Sequence, residues 1–243
     1  MTEMQDWNGS RWEYMKNQSN WHFDYTKLST PGVDSFTYIC RFIYDFTDII
    51  NKYIPIAQKC SWSSRNNYND KILSEGLYSA TAEEQDLIAA GADPKQEVFC
   101  RVEAVDEPIF QKISDFLGIE KPGIKFHNQT TGQMLHLHID NFAARPEREN
   151  SFKVTEMDND PSIMRRFAIM LADWKPGQIF QLGNANYYQW KAGECITWEW
   201  QDIPHCTANM GWWDRPMLQI TGFVTERTDF VIKSADEGWK VDL

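Results

Sequence analysis

Basic charge, paired cysteines and long apolar runs are what this chain is short of. Its 24 Lys and Arg stand against 35 Asp and Glu, a net charge of −11. No Lys/Arg run offsets that balance, and contact with a phosphate backbone needs a basic surface, so the composition argues against nucleic acid as the main partner. The five cysteines (Cys40, Cys60, Cys100, Cys195 and Cys206) are scattered, odd in number and never spaced CxxC. With the polar start MTEMQDWNGS, they lead us to expect a reducing cytoplasm and no disulfide framework. No apolar run approaches the length that spans a bilayer, so a soluble protein is expected. Histidine is scarce too, at five residues.

What is present is ample apolar matter: 42% hydrophobic and 14% aromatic residues, enough for a buried core in a chain of 243. Six of the eleven Trp fall between Trp174 and Trp213, which marks that segment as a packed interior or a pocket wall.

Two textures divide the chain. Residues 35–54 carry apolar positions at helical spacing, which predicts a helix opened by Asp34 or Ser35 and stopped by Pro55. TAEE at 81–84 makes a capping box for a second helix closed by Gly91. DEPIFQKISDFLG predicts a third, with Asp106 as cap, Pro108 in its first turn and Gly118 beyond its end. Between the last two, EVFCRVEAV alternates as a strand does. From residue 121, the runs IKFHNQ, QMLHLHID, RRFAIMLADW, GQIFQLG, ANYYQW, GECITWEW, IPHCTANM and PMLQITGFVT are short and β-like, separated by Gly, Pro and Asn. So many close strands predict a mainly β fold with helical elaboration, a sandwich or barrel-like double sheet. The expected layout is a mainly helical part over 1–120, the β core over 121–232 and a tail over 233–243. The charged stretch 141–164 breaks the rhythm and is either a surface loop or a lid.

Two of the five histidines fall in GQMLHLHIDNF, residues 132–142. Alternation along a strand puts His136, His138 and Asp140 on one face and Leu135, Leu137 and Ile139 on the other. His138 and Asp140 offer a nitrogen and a carboxylate two residues apart. His205, after Pro204 at the start of another expected strand, is the candidate third ligand. Two histidines and a carboxylate suit a non-haem iron site that keeps positions open, although zinc hydrolases use the same types. His136 and His138 as the ligand pair is a second option. His22 and His127 have no paired context and read as structural.

Ten residues after His205 stands Arg215, in DRPMLQITGF. With it, the pattern HxD, distal His and following Arg resembles the Fe(II)- and 2-oxoglutarate-dependent dioxygenases over about residues 121–226. That resemblance implies a double-stranded β-helix (jelly-roll, cupin-like) core. It implies that His138, Asp140 and His205 hold Fe(II) as the catalytic centre, and that Arg215 pairs with the distal carboxylate of 2-oxoglutarate. It further implies dioxygen as co-substrate, succinate and carbon dioxide as products, and hydroxylation or desaturation of a small-molecule or amino-acid-side-chain substrate. Asp140 favours these over halogenation, where a small residue replaces the carboxylate. Some members finish the carboxylate site with a Ser two residues after the Arg. Met217 stands there, so the amides of Gln219 and Asn128 are the candidate substitutes.

Two other classes stay open on the sequence. A cupin-like metalloenzyme, such as an isomerase or a keto-acid-independent dioxygenase, keeps the ligands and gives Arg215 another task. A non-catalytic jelly-roll binding module makes the His–Asp strand a polar surface and Arg215 an ion-pair partner of Asp214. Cys206 should face away from His205, Thr207 and Asn209 should share its face, and one or two of Trp198, Trp200, Trp212 and Trp213 should line a dry site.

Overall fold

The eight β-like runs after residue 120 all form strands in a computed structural model that describes residues 35–59, 100–138, 163–200 and 203–243. They are β3 (Glu120–Gln129), β4 (Met134–His138), β5 (Met164–Met170), β6 (Gln178–Leu182), β7 (Ala185–Tyr187), β8 (Glu194–Thr197), β9 (His205–Asn209) and β10 (Arg215–Phe223). Their pairing is nested. β3 pairs with β10, β4 with β9, β5 with β8 and β6 with β7, all antiparallel. The chain thus forms one long hairpin of paired strands, and β10–β5 and β9–β6 contacts roll it into two sheets. That is the jelly roll, a sandwich whose edges stay open rather than a closed barrel.

The larger sheet runs β11-β1-β8-β5-β10-β3-β2 and the smaller β4-β9-β6-β7, where β1 is Thr37–Ile43, β2 Cys100–Glu103 and β11 Lys240–Asp242. Segments outside 121–232 therefore extend the same sheet. Residues 1–120 supply β1 and β2, and the expected tail supplies β11, parallel to β1.

Among the described residues, three helices cover one face of the large sheet: α1 (Thr47–Lys59), α2 (Pro108–Leu117) and α3 (Glu226–Lys233). Alternation sends Ile124, Phe126, Phe167, Ile169, Cys195, Leu218 and Ile220 to that face, against Ile49, Tyr53, Ile109, Phe110, Ile113, Leu117 and Val231. The opposite face carries Ala168, Met170, Ile196 and Met217, which meet Phe180, Leu182, Tyr187, Trp190 and Trp198 between the sheets. The second layer is the one that matters for chemistry, because β9 and β10 both look into it.

The helix expected over 35–54 is corrected. Thr37–Ile43 is a strand, and the helix begins only at Thr47. TYICRFI is rich in β-branched and aromatic residues, and an irregular register between Tyr38 and Cys40 lets neighbouring Ile39 and Cys40 both bury. Pro55 does not stop α1 but lies within it. Pro55 and Asn51 are on the exposed side, where the carbonyl that loses its bond can turn to water. The α2 cap is Glu107 rather than Asp106. Its carboxylate makes no cap bond, because it accepts from Lys52 Nζ (2.6 Å) and Tyr53 Oη (3.1 Å) and so ties α1 to α2. The expected helix after Thr81, the stretch 141–162 and His22 lie outside the described residues.

Cys40, Cys195 and Cys206 are free thiols, and burial pushes Cys40 up to about 12. Among the described residues, no helix is long and apolar enough to cross a membrane.

Gly193, with φ +87°, is the joint between β1, β5 and β8. Its N–H donates to Met170 O and its carbonyl accepts from Phe42 N. A Cβ there would overlap the Phe42 carbonyl oxygen. Gly193→Ala should therefore cost more than the about 1–3 kcal/mol of the left-handed backbone alone. Urea unfolding checks this: a clear fall in midpoint is expected, and an unchanged midpoint would show that the joint yields.

Candidate metal and anion site

The nested pairing brings together the two histidines the sequence singled out. His138 and His205 are register partners across β4 and β9, which places their Cα atoms about 4.5–5.5 Å apart. The strict alternation expected through LHLH does not hold. Leu135 pairs with Thr207, so one residue too many lies before His138 meets His205, a bulge in β4. The residue opposite His205 is thus His138 rather than Leu137, which the unbroken register would have placed there. The side chains of both these histidines, and Asp140 entirely, lie outside the described residues. Among the described residues no three ligand side chains gather.

His205 is buried between the sheets. Its Nδ1 lies 3.4 Å from Ile203 O, a long contact with an atom that only accepts. A proton on Nδ1 would face that oxygen and leave the lone pair on Nε2, the tautomer a metal needs. Trp198 meets the ring edge-on at 5.0 Å between centroids, and Phe180 lies at 6.4 Å. The Trp198 indole N–H is buried with no acceptor.

Arg215 opens β10 and is 3% exposed, not a surface partner of Asp214. Its Nη1 donates to Gln129 Oε1 at 3.0 Å. Among the described residues, its Nε and Nη2 are buried without an acceptor. The guanidinium carbon sits 5.3 Å from the rings of both Phe180 and Trp190, so the cation is walled by aromatic faces. Burial lowers its pKa to about 10, which still leaves it charged at neutral pH. A buried cation with two unanswered donors is expensive unless something acidic comes to it.

Gln129 joins the two sheets. While its oxygen accepts from Arg215, its amide nitrogen donates to Thr207 Oγ1 at 2.9 Å. Asn209 Nδ2 donates to Gln129 O (2.8 Å) and Trp213 O (2.7 Å), which closes the far end of β9 onto β3 and β10. Thr207 and Asn209 do share the inward side with His205, and both are spent on structure there. Tyr187, its pKa raised by burial and then by its 2.6 Å bond to Glu194 Oε2, stays a phenol beside Trp190.

The remaining site residues divide. Gln219 is on the same inward side as Arg215. With its amide turned so that oxygen meets Arg166 Nε (2.9 Å) and Nη1 (3.1 Å), its nitrogen donates to His127 Nε2 at 3.3 Å. It stands two alternations from Arg215 along β10, in register with Lys125. Asn128 is in register with Pro216 on the alternate side, next to the Asp214 carboxyl, whose pKa burial raises. The structure therefore brings neither amide to Arg215. It brings Gln129, which sequence reading missed because only the β3–β10 register shows that it stands opposite Arg215. Cys206 faces away, its Sγ 3.7 Å from Gln181 Oε1. Trp212 is 84% exposed and lines nothing inside.

No family profile matches the sequence, and neither does any curated protein. Solved structures do show likeness. A prolyl-4-hydroxylase from Pseudomonas putida is similar over 81% of this chain and 97% of its own, at 12% identity and a TM-score of 0.41. The non-haem alpha-ketoglutarate-dependent epimerase SnoN of nogalamycin biosynthesis is similar over 82% and 83%, at 11% and 0.42. A predicted oxalate decarboxylase from Thermotoga maritima is similar over 52% and 81%, at 11% and 0.32. Likeness of this order leaves the jelly-roll assignment resting on the strand pairing itself, and the chemistry resting on the residues above.

Proposed function

We propose that this chain is an Fe(II)- and 2-oxoglutarate-dependent oxygenase that hydroxylates an unactivated C–H bond of an amino-acid-like or side-chain substrate. The observation that carries the reading is Arg215, a buried cation with two orphaned donors, in the same interior layer as the register-matched His138–His205 pair. His138, Asp140 and His205 would hold the metal, which when bound supplies oxygen activation and leaves succinate and carbon dioxide as co-products.

The chain's own residues set up that chemistry. His205 sets Nδ1 toward Ile203 O, and the neutral ring protonated there would offer Nε2 to the metal. Arg215 offers a charge-assisted fork to the distal carboxylate of the co-substrate. Thr207 lies two residues beyond His205, about 7 Å along the strand, and Gln129 connects it to Arg215. A five-carbon diacid would suit a site in which the metal ligands and the guanidinium share one layer. Phe180, Trp190 and Trp198 exclude water around both ends, which keeps the ion pair strong.

Alternative roles for the jelly roll are weaker on the same observation. A binding module with a polar His strand has no use for an inward-facing histidine or a buried, unanswered arginine. A cupin-like enzyme without a keto acid would need another anion for Arg215.

Two outcomes follow. Fe(II)-dependent succinate release from 2-oxoglutarate should vanish in His205→Ala. In Arg215→Met it should need at least about 30-fold more 2-oxoglutarate, the loss of a charge-assisted pair worth about 2–5 kcal/mol. Undiminished release from either variant contradicts the assignment. Without ligand, Arg215→Met should melt no lower than the parent protein, because it removes an uncompensated buried charge. A large loss of melting temperature would instead make Arg215 a structural residue.

A further inference from the structure

We infer that Gln129 is the positioning residue that gives the site its preference for a carboxylate-bearing co-substrate, by fixing which edge of Arg215 is presented and by remaining neutral. The inference rests on the reading of Arg215 above and adds a residue that the resemblance did not supply.

A guanidinium can receive a carboxylate side-on, through Nε and Nη2, or end-on, through the two terminal nitrogens. Here one of the two N–H groups of Nη1 is already taken by Gln129 Oε1 at 3.0 Å, which disfavours the end-on approach. The two nitrogens left without an acceptor, Nε and Nη2, are the side-on pair. Their N–H bonds run parallel along one edge and match the two oxygens of a single planar carboxylate. Phe180 and Trp190, each 5.3 Å from the guanidinium carbon, fix the plane of the group.

Gln129 can do this because it is itself held on three sides. Its amide nitrogen is bound to Thr207 Oγ1, its backbone oxygen accepts from Asn209 Nδ2, and it is in β-ladder register with Arg215. The choice of side chain matters as much as its position. A glutamate of the same shape could accept from Nη1 equally well, but it would neutralise Arg215 from inside and leave no charge for the incoming carboxylate. A neutral amide orients the cation and leaves its charge unspent. Met217, two residues after Arg215, carries no hydroxyl to share the task, and its register partner is His127.

The experiment compares two keto acids that share a chelating end and differ in the distal carboxylate: 2-oxoglutarate and pyruvate. Full-length protein loaded anaerobically with Fe(II) is titrated with each, and the metal-to-ligand absorption gives the two dissociation constants without turnover. The parent should prefer 2-oxoglutarate strongly. Gln129→Glu should reduce that preference by about tenfold or more, with Fe(II) affinity and pyruvate affinity unchanged. Thr207→Val, which removes the hydroxyl that holds the amide, should reduce it in the same direction by less, and it serves if Gln129→Glu does not fold. A merely structural Gln129 would lower both affinities together, and that result overturns the inference. An unaltered preference in both variants overturns it as well. A parent protein that does not prefer 2-oxoglutarate removes the anion role of Arg215 itself, and that failure is distinguishable from the other two.

Discussion

A positive charge enclosed between two sheets is the constraint around which the interior of this protein is arranged. Among the described residues Arg215 meets no counter-charge: its contacts are one amide oxygen and two aromatic faces. Removing a guanidinium from water costs several kcal/mol unless its donors are answered. Natural interiors leave such groups unanswered where a ligand completes them. The aromatic crowding of residues 174–213 takes its meaning from this. Phe180, Trp190 and Trp198 are core by burial, yet Phe180 touches both Arg215 and His205 and so links the anion end of the layer to the metal end.

Nested pairing is what makes that layer possible. Because β4 meets β9 and β3 meets β10, the first and last strands of the roll stand side by side in each sheet. Residues far apart in the chain become register partners: His138 with His205, and Gln129 with Arg215. The described helices play no direct part in the site. They cover the far face of the large sheet with apolar side chains, and the Lys52–Glu107–Tyr53 cluster ties two of them together. The protein thus separates a face devoted to packing from a face that holds polar and charged groups.

The strands of the β core were legible because their signal is local. Period-two runs broken by Gly, Pro and Asn mark β3 to β10 without any knowledge of pairing. The segment 35–54 was misleading because Phe36, Ile39, Cys40, Ile43 and Phe46 fit helical spacing, while the bulge that buries Ile39 and Cys40 together belongs to the β1–β8 register. His205 and Arg215 were legible by residue type and spacing. Gln129 was not, since nothing local distinguishes it from Asn128; only pairing with β10 decides which of the two amides reaches the arginine. The bulge in β4 is the same kind of fact, since it sets His138 rather than Leu137 opposite His205.

The account's central claim is that one interior layer holds a metal at the His138–His205 pair and a keto acid between that metal and Arg215. Anaerobic titration of the apo-protein with Fe(II), then with 2-oxoglutarate, tests it most directly when followed by visible absorption. A charge-transfer band that needs both additions and is lost in Asp140→Ala is the predicted result. Iron binding with no band on adding 2-oxoglutarate, or a band that survives in Asp140→Ala, would contradict it.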